Sequence, residues 1–371
     1  MLRVLKVVLL LLLVAVGYLL LWPVPIAPVA WQAAKFQGYQ GPSARNSRLA
    51  TVTLISTAPD VGPEHIAFGP DGRLYTGMLS GAILRMNPDG SGRETYVNTG
   101  GRPLGLDFAA DGRLIVADAF RGLLAVAADR SIVVLADKVG SEPILFADAV
   151  VVAKDGRMLF TDATQRIAAK QYGTFDAALL DILEHSCTGR VLEYDPAGTT
   201  TRVVIGGLCF PNGIALSADQ THFFIAETGE YRIWKVDRAA SNLDARTLGG
   251  NPQARVVAAN LPGFPDNLTQ GAEGRLWTGF TAPRSDAIDA IAAQPWLRSV
   301  MLRLPRVLWP VPPVYGHILA IDEDGRVVAD LQDPTGKLPG TSGATEHGGR
   351  LYVHSLHAST LGVIDRTAAG F

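Results

Sequence analysis

Five oxygen-bearing side chains stand at places where a local sequence pattern repeats. They are Glu64, Asp148, Asn212, Asp266 and Asn267. Each of the first four lies seven residues before the middle of a polar turn, and the fifth directly follows Asp266. Three carboxylates brought together alone would repel one another and take up protons, whereas a hard cation would bind them all. Because the set contains no His or Cys, it predicts Ca²⁺ rather than Zn²⁺.

The turns belong to six repeats of an apolar run, a polar turn and a second apolar run, which is typical of a β-hairpin. The turn positions are residues 71, 111, 155, 219, 273 and 348. Their spacing of 40 to 75 residues fits four-stranded propeller blades, some of which carry insertions. The sequence therefore predicts an all-β, six-bladed β-propeller. Equal offsets in equivalent strands would place the oxygen-bearing side chains around one end of the central channel, although Asp and Asn also cap turns and strands throughout proteins.

Composition is consistent with this fold and excludes several functions. The 371 residues are 48% hydrophobic and include 39 Gly and 23 Pro, as suits a turn-rich β protein with a large core. A formal net charge of −2 removes the usual electrostatic argument for a nucleic-acid partner. The motifs of phosphate-binding loops, zinc proteases and serine hydrolases are missing.

The N-terminus predicts a membrane anchor. Residues 7–22 are uncharged and follow Arg3 and Lys6, and the apolar stretch extends to residue 26. We interpret residues 7–26 as a single transmembrane helix rather than a cleaved signal peptide, because the stretch is long and no clear cleavage site follows it. The positive-inside rule leaves residues 1–6 in the cytoplasm. Residues 27–50 then form a stem, and residues 51–371 form a propeller on the non-cytoplasmic side, in the periplasm, a lumen or outside the cell.

Two insertions interrupt the repeats, at residues 164–187 and 282–315. The first contains a stretch with helical spacing, Phe175 to Glu184, and the second contains two short helical stretches. Basic residues alternate with apolar ones in the second insertion: Arg298, Arg303 and Arg306. Such an amphipathic element could lie on the membrane, or it could cap the channel with its apolar face.

The remaining reactive side chains leave alternatives open. If the flanking stretches are paired strands, Cys187 and Cys209 face each other, so a disulfide and two buried thiols are about equally expected. His65 adjoins Glu64 but alternation along a strand points it to the other face, which predicts a packed histidine. Three histidines cluster in the last hairpin, His347, His354 and His357. His354 or His357 could reach the channel mouth, but a surface role is preferred.

Several motifs resemble those of the strictosidine synthase-like proteins, which include the adipocyte plasma membrane-associated proteins and are related to gluconolactonase (regucalcin) and paraoxonase propellers. The motifs are Gly62-Pro63-Glu64, the stretches 210–217 and 226–233, and Leu261 to Asn267. The resemblance implies a six-bladed propeller with Ca²⁺ in its tunnel. It implies metal binding by Glu64, Asn212 and Asp266, with Asn267 matching a further paraoxonase ligand. Asp148 falls where paraoxonases carry Asn.

Three functions follow from these patterns. The first is a membrane-anchored, calcium-dependent hydrolase of small esters or lactones, of the arylesterase or lactonase type, with Asp266 as the candidate base. The second is a carbon–nitrogen lyase or synthase like the plant enzyme, which uses a Glu of the sixth blade. Here Ser342 aligns near that position and Glu346 matches a different acid. The third is a non-catalytic propeller that binds a partner or a lipid.

Overall fold

The structure is a computed structural model, and it describes residues 1–370 apart from the side chain of Ala368. The chain begins with the helix α1 (Leu2–Leu21), which is long and apolar enough to cross a membrane and buries no residue against the rest of the protein. The extended segment that follows contains two short 3-10 turns, Gly41–Ser43 and Arg48–Thr51. It leads into the strand β1 (Thr53–Ser56).

Six sheets of antiparallel strands form the blades of a propeller. Blade 1 contains β2 (Ile66–Phe68), β3 (Leu74–Gly77), β4 (Ala82–Met86) and β5 (Glu94–Asn98). Blade 2 contains β6 (Pro103–Phe108), β7 (Leu114–Asp118), β8 (Gly122–Val126) and β9 (Ile132–Ala136). A small ribbon of β10 (Lys138–Val139) and β11 (Glu142–Pro143) leads to the next blade.

The other blades follow the same order and two of them hold the helical insertions. Blade 3 contains β12 (Ala147–Val152), β13 (Met158–Asp162), β14 (Gly189–Asp195) and β15 (Thr200–Leu208), with α2 (Ala169–Tyr172) and α3 (Thr174–Glu184) between its second and third strands. Blade 4 contains β16 (Pro211–Leu216), β17 (His222–Glu227), β18 (Arg232–Asp237) and β20 (Ala254–Ala258). Between β18 and β20, the short strand β19 (Leu243–Asp244) pairs with β15 at the edge of blade 3.

Blade 5 contains β21 (Gly263–Gln270), β22 (Leu276–Pro283), β23 (Gly316–Ile321) and β24 (Val327–Asp333), with α4 (Asp286–Ala290) and α5 (Pro295–Arg303) inserted before its third strand. Blade 6 contains β25 (Thr341–His347), β26 (Arg350–Ser355) and β27 (Thr360–Asp365), and the chain ends in α6 (Arg366–Ala369). Its fourth strand is β1, so the N-terminal strand closes the propeller.

The predicted six-bladed propeller is confirmed. The innermost strands of successive blades contact one another in a closed circle, from β2 through β6, β12, β16, β21 and β25 back to β2. The polar turns form the predicted hairpins: Asp111 accepts a hydrogen bond from the backbone N of Arg113, and Gly112 has a φ of 85°, which glycine adopts without strain. Apolar residues between blades form the core, because each sheet is covered by a neighbour on both faces.

Candidate metal centre

Each of the six polar turns has a residue seven positions before it, in the strand that leads into the turn. Five of these six residues line one cavity at an end of the channel. These positions are Glu64, Leu104, Asp148, Asn212 and Asp266. The sixth, Thr341, is buried beside the backbone of His317, to which its hydroxyl donates a hydrogen bond at 2.8 Å. We call the four polar positions together with the adjacent Asn267 the oxygen ring. All five of its residues are at most 5% exposed.

Irregular strand pairing positions these side chains. In blades 3, 4 and 5 the register between the first and second strands shifts at the oxygen ring, between Ala147 and Val150, between Pro211 and Ile214, and between Pro265 and Leu268. A bulge leaves residues unpaired and bends the strand, which re-aims their side chains. The bulge at Pro265 to Leu268 therefore allows two adjacent residues, Asp266 and Asn267, to contribute to one site, which regular alternation would forbid.

The inner strands approach so closely that glycine is required at one position. A Cβ on Gly213 would lie 2.1 Å from the backbone N of Leu268 and 2.5 Å from the carbonyl oxygen of Asp266. Any larger residue would therefore push blades 4 and 5 apart. This contact keeps Asn212 beside Asp266.

Hydrogen bonds fix one side of the oxygen ring and leave the other side open. The Asn267 amide donates to Oε1 of Glu64 at 2.6 Å and to its backbone oxygen at 2.9 Å, and the Ser342 hydroxyl donates to that backbone oxygen at 2.6 Å. Four buried oxygens of the oxygen ring have no hydrogen-bond partner among the described residues: Glu64 Oε2, Asn212 Oδ1, Asp266 Oδ1 and Asn267 Oδ1. A buried oxygen without a partner is costly, and a cation among these four oxygens would satisfy all of them.

The charges of the oxygen ring point the same way. Burial raises the pKa of Glu64, and burial together with the neighbouring carboxylates raises the pKa values of Asp148 and Asp266 well above their usual range. The guanidinium of Arg102 is fully buried nearby and partly offsets this effect at Glu64 and Asp148. Three carboxylates and one guanidinium leave a net charge of −2, which one divalent cation would neutralise.

The donor set fits Ca²⁺. Among the described residues, the one group of three His, Cys, Asp or Glu side chains with all ligand atoms within 4.8 Å is His185, Cys187 and Cys209, so the carboxylates of the oxygen ring are more widely spread. Ca²⁺ binds oxygen at about 2.3–2.6 Å, which places ligands on opposite sides of the ion about 5 Å apart. A set of only oxygen donors suits Ca²⁺ better than Zn²⁺, which binds mostly nitrogen and sulfur.

Beyond the oxygen ring, the cavity has mostly apolar walls that also include Thr174, Thr228 and Thr281, and a volume of about 80 Å³. Its apolar lining comes from the blades and from α3: Leu104, Phe146, Phe175, Ala178, Ile182, Phe210 and Leu356. The helix α3, which we call the lid helix, thus covers the channel. Of the two roles considered for the second insertion, capping the channel is wrong: residues 282–315 do not line this cavity, and the first insertion supplies the cap.

The lid helix is held in place by buried polar contacts with the stem and with α5. Glu184, at its C-terminal end, accepts hydrogen bonds from the backbone N of Ala27 and from Arg166. Arg298 of α5 is fully buried and donates to the backbone oxygens of Leu183 and Val29. Because these groups have lost water, their mutual hydrogen bonds fix the helix over the channel.

A disulfide joins Cys187 to Cys209, so of the two expected states the structure has the bonded one. Cys187 lies three residues beyond the lid helix, and Cys209 lies three residues before Asn212. The bond therefore fastens the end of the lid helix to the strand that carries a residue of the oxygen ring.

His65 and the exposed His357 lie in the environments that the sequence predicted, whereas His354 does not. His65 is buried as predicted: its Nδ1 accepts a hydrogen bond from the backbone of Leu106 at 3.3 Å, and burial lowers its pKa to about 4. The surface assignment of His354 is wrong, because this residue is fully buried and packs edge-on against His65. His357 stacks on Phe175 of the lid helix, and His347 stacks on Phe68.

The lyase hypothesis requires a channel acid in the last blade, and Glu346, the acid of that blade considered for this role, does not line the cavity at the oxygen ring. It accepts hydrogen bonds from Arg275 at 3.0 Å and Trp277 at 2.7 Å. Burial alone would raise its pKa, but these hydrogen bonds lower it overall. A carboxylate held this way is not available as a channel acid.

Sequence reasoning missed two residues of the site, Arg102 and Ser342 in its role as a donor to Glu64. Arg102 starts the inner region of blade 2, and its guanidinium donates to the backbone oxygen of Gly62 in front of blade 1. The only signal in the sequence is that Arg102 lies two residues before Leu104, which is the residue of blade 2 at the position that carries an oxygen-bearing side chain in four of the other blades. Nothing local indicates that its side chain crosses to the next blade.

Residues 48–300 match the family model described as the SMP-30/Gluconolactonase/LRE-like region. The chain belongs to this family of propeller proteins. Within it, the chain is similar to Protein STRICTOSIDINE SYNTHASE-LIKE 13 of Arabidopsis thaliana, with 33% identity over 84% of this chain and 83% of the relative. It is also similar to the Adipocyte plasma membrane-associated protein of Salmo salar, with 31% identity over 82% of this chain and 76% of the relative.

Solved structures share the fold at low sequence identity. A gluconolactonase of Xanthomonas campestris superimposes with a TM-score of 0.58 and 17% identity, covering 93% of this chain and 99% of the other. A calcium-binding regucalcin of Agrobacterium tumefaciens gives a TM-score of 0.55 and 16% identity, covering 81% and 84%. At this identity the likeness establishes the fold and not the activity.

Proposed function

We propose that this protein is a calcium-dependent hydrolase of small apolar esters or lactones. The observation that carries the proposal is the set of four buried oxygens of the oxygen ring that have no hydrogen-bond partner among the described residues. Burial and the neighbouring carboxylates also raise the pKa values of Asp148 and Asp266. Glu64, Asp148, Asn212, Asp266 and Asn267 would hold the ion. When bound, Ca²⁺ would polarise a substrate carbonyl and stabilise the charge that develops on its oxygen.

The chain's own residues would supply the rest of the reaction. Asp266 is the proposed base, because it lines the cavity at the oxygen ring, where it would face a substrate carbonyl. Asn267 would keep Glu64 in place through its hydrogen bond, so that the substrate meets a fixed set of oxygens.

The cavity walls favour an apolar substrate. Leu104, Phe146 and Phe210 surround the space above the oxygen ring, and the lid helix excludes bulk water from it. A sugar lactone would find only three hydroxyl partners on these walls, those of Thr174, Thr228 and Thr281, whereas an alkyl or aryl group would be stabilised by the apolar side chains. Membership of the SMP-30/Gluconolactonase/LRE-like family supports the reaction class, and the wall chemistry favours a less polar substrate than a sugar lactone.

We further propose that α1 anchors the protein in a membrane, with the propeller on the non-cytoplasmic side. Arg303 of α5 donates to the backbone oxygens of Leu19 at 3.0 Å and Trp22 at 2.5 Å, which caps the C-terminal end of α1. Arg306 pairs with Asp176 of the lid helix at 2.6 Å. The second insertion therefore connects the end of the anchor to the lid.

Exposed apolar side chains lie beside this connection. They are Val307, Leu308, Val311 and Val314, each more than 60% exposed. Exposed apolar residues interspersed with arginines are typical of segments at a membrane surface. Their position next to the end of α1 supports the proposed role of residues 282–315 as a membrane contact.

The proposal is tested by hydrolysis assays on the full chain in detergent micelles. Phenyl acetate and an alkyl-substituted γ-lactone serve as apolar substrates, and glucono-δ-lactone serves as the polar comparison. We expect turnover of the apolar substrates, its loss in EDTA and its return when Ca²⁺ is added back. Asp266→Ala should remove both bound calcium and turnover.

A matched control is Asp162→Asn, which changes a buried aspartate that pairs with Arg190 at 2.9 Å away from the cavity. This variant should keep its calcium dependence even if it is less stable. Full activity after chelation, or no turnover of any ester or lactone by calcium-loaded protein, would contradict the proposal.

A further inference from the structure

A second cluster of ligand-bearing side chains lies at the end of the lid helix, outside the oxygen ring. It consists of His185, Cys187, Cys209 and Glu230. In the structure the two cysteines form a disulfide, and the other two side chains meet at its edge. Nε2 of His185 lies 2.9 Å from Oε1 of Glu230 and 3.6 Å from Sγ of Cys209, which is itself 3.8 Å from Oε1 of Glu230.

These separations resemble the edges of a tetrahedral zinc site. Zinc binds sulfur at about 2.3 Å and nitrogen or oxygen at about 2.0–2.1 Å, so sulfur and nitrogen ligands of one ion lie about 3.6 Å apart, and sulfur and oxygen ligands about 3.5 Å. The observed values of 3.6 and 3.8 Å are close to this geometry, and the 2.9 Å between His185 and Glu230 would widen to about 3.3 Å when zinc binds. Opening the disulfide and moving the half-buried Cys187 side chain outward would supply the fourth corner.

The cluster is held in this arrangement by its surroundings. His185 ends the lid helix in a left-handed conformation, and its backbone N donates to Asp181 at 2.7 Å. Trp31 of the stem stacks on its imidazole, with ring centroids 4.1 Å apart. Nδ1 of His185 has no partner among the described residues, so moving the ring proton from Nε2 to Nδ1 breaks only the hydrogen bond to Glu230. A preformed site loses less conformational entropy when it binds an ion.

The charges also balance. Two thiolates and one carboxylate around Zn²⁺ leave a net charge of −1. Arg232 pairs with Glu227 at 2.5 Å and lies 3.9 Å from the second oxygen of Glu230, so it offsets part of that charge. Soft thiolate ligands with one imidazole select Zn²⁺ over Ca²⁺, in contrast to the oxygen ring.

We propose that the reduced form of this cluster is a zinc site, with Cys187, Cys209, His185 and Glu230 as ligands, and that zinc binding and the disulfide exclude each other. Reduction by a phosphine transfers two electrons to the disulfide: the phosphine becomes a phosphine oxide with an oxygen from water, and the two sulfurs become thiols. Zinc then binds and both thiol protons are released.

Either state fastens the same two segments. The covalent bond or the ion joins the end of the lid helix to the stretch from Cys209 to Asn212. The lid would therefore stay attached to the ring-bearing strand in a reducing as well as in an oxidising compartment, provided that zinc is present.

The test measures zinc bound to the full chain in detergent micelles before and after reduction with a phosphine. We expect about one equivalent of zinc in the reduced protein and none in the oxidised protein, which is its matched control. Replacing zinc with Co²⁺ should give a sulfur-to-cobalt charge-transfer band, and X-ray absorption should show two sulfur neighbours at about 2.3 Å from zinc.

Variants separate this site from the oxygen ring. Cys209→Ser should abolish zinc binding, and Glu230→Gln, which keeps the fold of the cluster, should weaken it at least tenfold. Asp266→Asn should leave zinc binding unchanged, so failure here is distinct from failure of the proposed hydrolase. The proposal is overturned if the reduced protein binds no more zinc than the oxidised protein, or if Cys209→Ser or Glu230→Gln binds zinc as tightly as the unmodified chain.

Discussion

Replacing Asp266 with asparagine removes one negative charge from the oxygen ring and keeps nearly the same side-chain shape. In the absence of calcium, Asp266 is buried beside Glu64 and Asp148. Burial is the largest cause of its raised pKa, and these two carboxylates raise it further. The ionised carboxylate of Asp266 is therefore destabilised in the metal-free protein. We expect Asp266→Asn to make the metal-free protein more stable and the calcium response much weaker.

The size of the effect follows from Coulomb's law. Two carboxylates about 5 Å apart repel by about 3 kcal/mol at an effective dielectric constant of about 20. Partial protonation relieves some of this repulsion, so a gain of about 1–3 kcal/mol at pH 8 is expected for the metal-free variant. The unmodified protein should gain about 2.7 kcal/mol when calcium is present at about 100 times its Kd. With an unfolding entropy of about 2.1 cal/mol/K per residue over roughly 320 residues, that gain raises the Tm by about 4 °C.

The assay is thermal unfolding at pH 8 in EDTA and in excess Ca²⁺. The unmodified chain should melt higher in calcium, whereas Asp266→Asn should melt higher than the unmodified chain in EDTA and respond little to calcium. Asp162→Asn is the control, because it removes a buried carboxylate that already has Arg190 as its partner. That variant should lose stability in both conditions and keep the calcium response.

The reasoning would be refuted by either of two results. A normal calcium response in Asp266→Asn would mean that this carboxylate does not bind the ion. A large loss of stability in EDTA would mean that Asp266 makes favourable contacts in the metal-free protein, so that the carboxylates do not repel as inferred.

Three further predictions follow from neighbouring residues. Arg102→Met removes the buried cation beside the carboxylates, so unfolding in EDTA should become easier by about 3–5 kcal/mol, with a smaller loss in calcium; equal losses in both conditions would contradict this role. Burial raises the pKa of Asp107 to about 6, so its contribution to stability is complete below about pH 4 and is lost as the pH rises through 6. In urea unfolding, the stability of Asp107→Asn relative to the unmodified chain should therefore increase by about 1 kcal/mol between pH 5 and 8. A difference in stability that does not change with pH would refute this prediction. Phe175→Ala removes the lid side chain that stacks on His357 over the cavity, so kcat/KM for a bulky aryl ester should rise several-fold relative to phenyl acetate, and an unchanged ratio would show that the lid does not limit substrate size.

The repeat of hairpins made the fold predictable. Alternating apolar runs and polar turns are local features, and six of them at blade-sized intervals leave few architectures other than a propeller. The same local logic identified α3, because Phe175 to Glu184 has helical spacing and good helix formers. The oxygen ring was accessible in the same way, since equivalent strands place equal offsets at equal positions.

The sequence by itself therefore determined the propeller, the apolar helix α1 and the polar positions that meet in the channel. Only the tertiary structure decided which insertion covers the cavity, that His354 is buried beside His65, and that Arg102 offsets the charge of the carboxylates. The physical reason is that these features depend on contacts between blades. Hydrophobic periodicity reports how a strand or helix is buried, but it carries no information about which neighbour a long side chain reaches or where a bulge re-aims it.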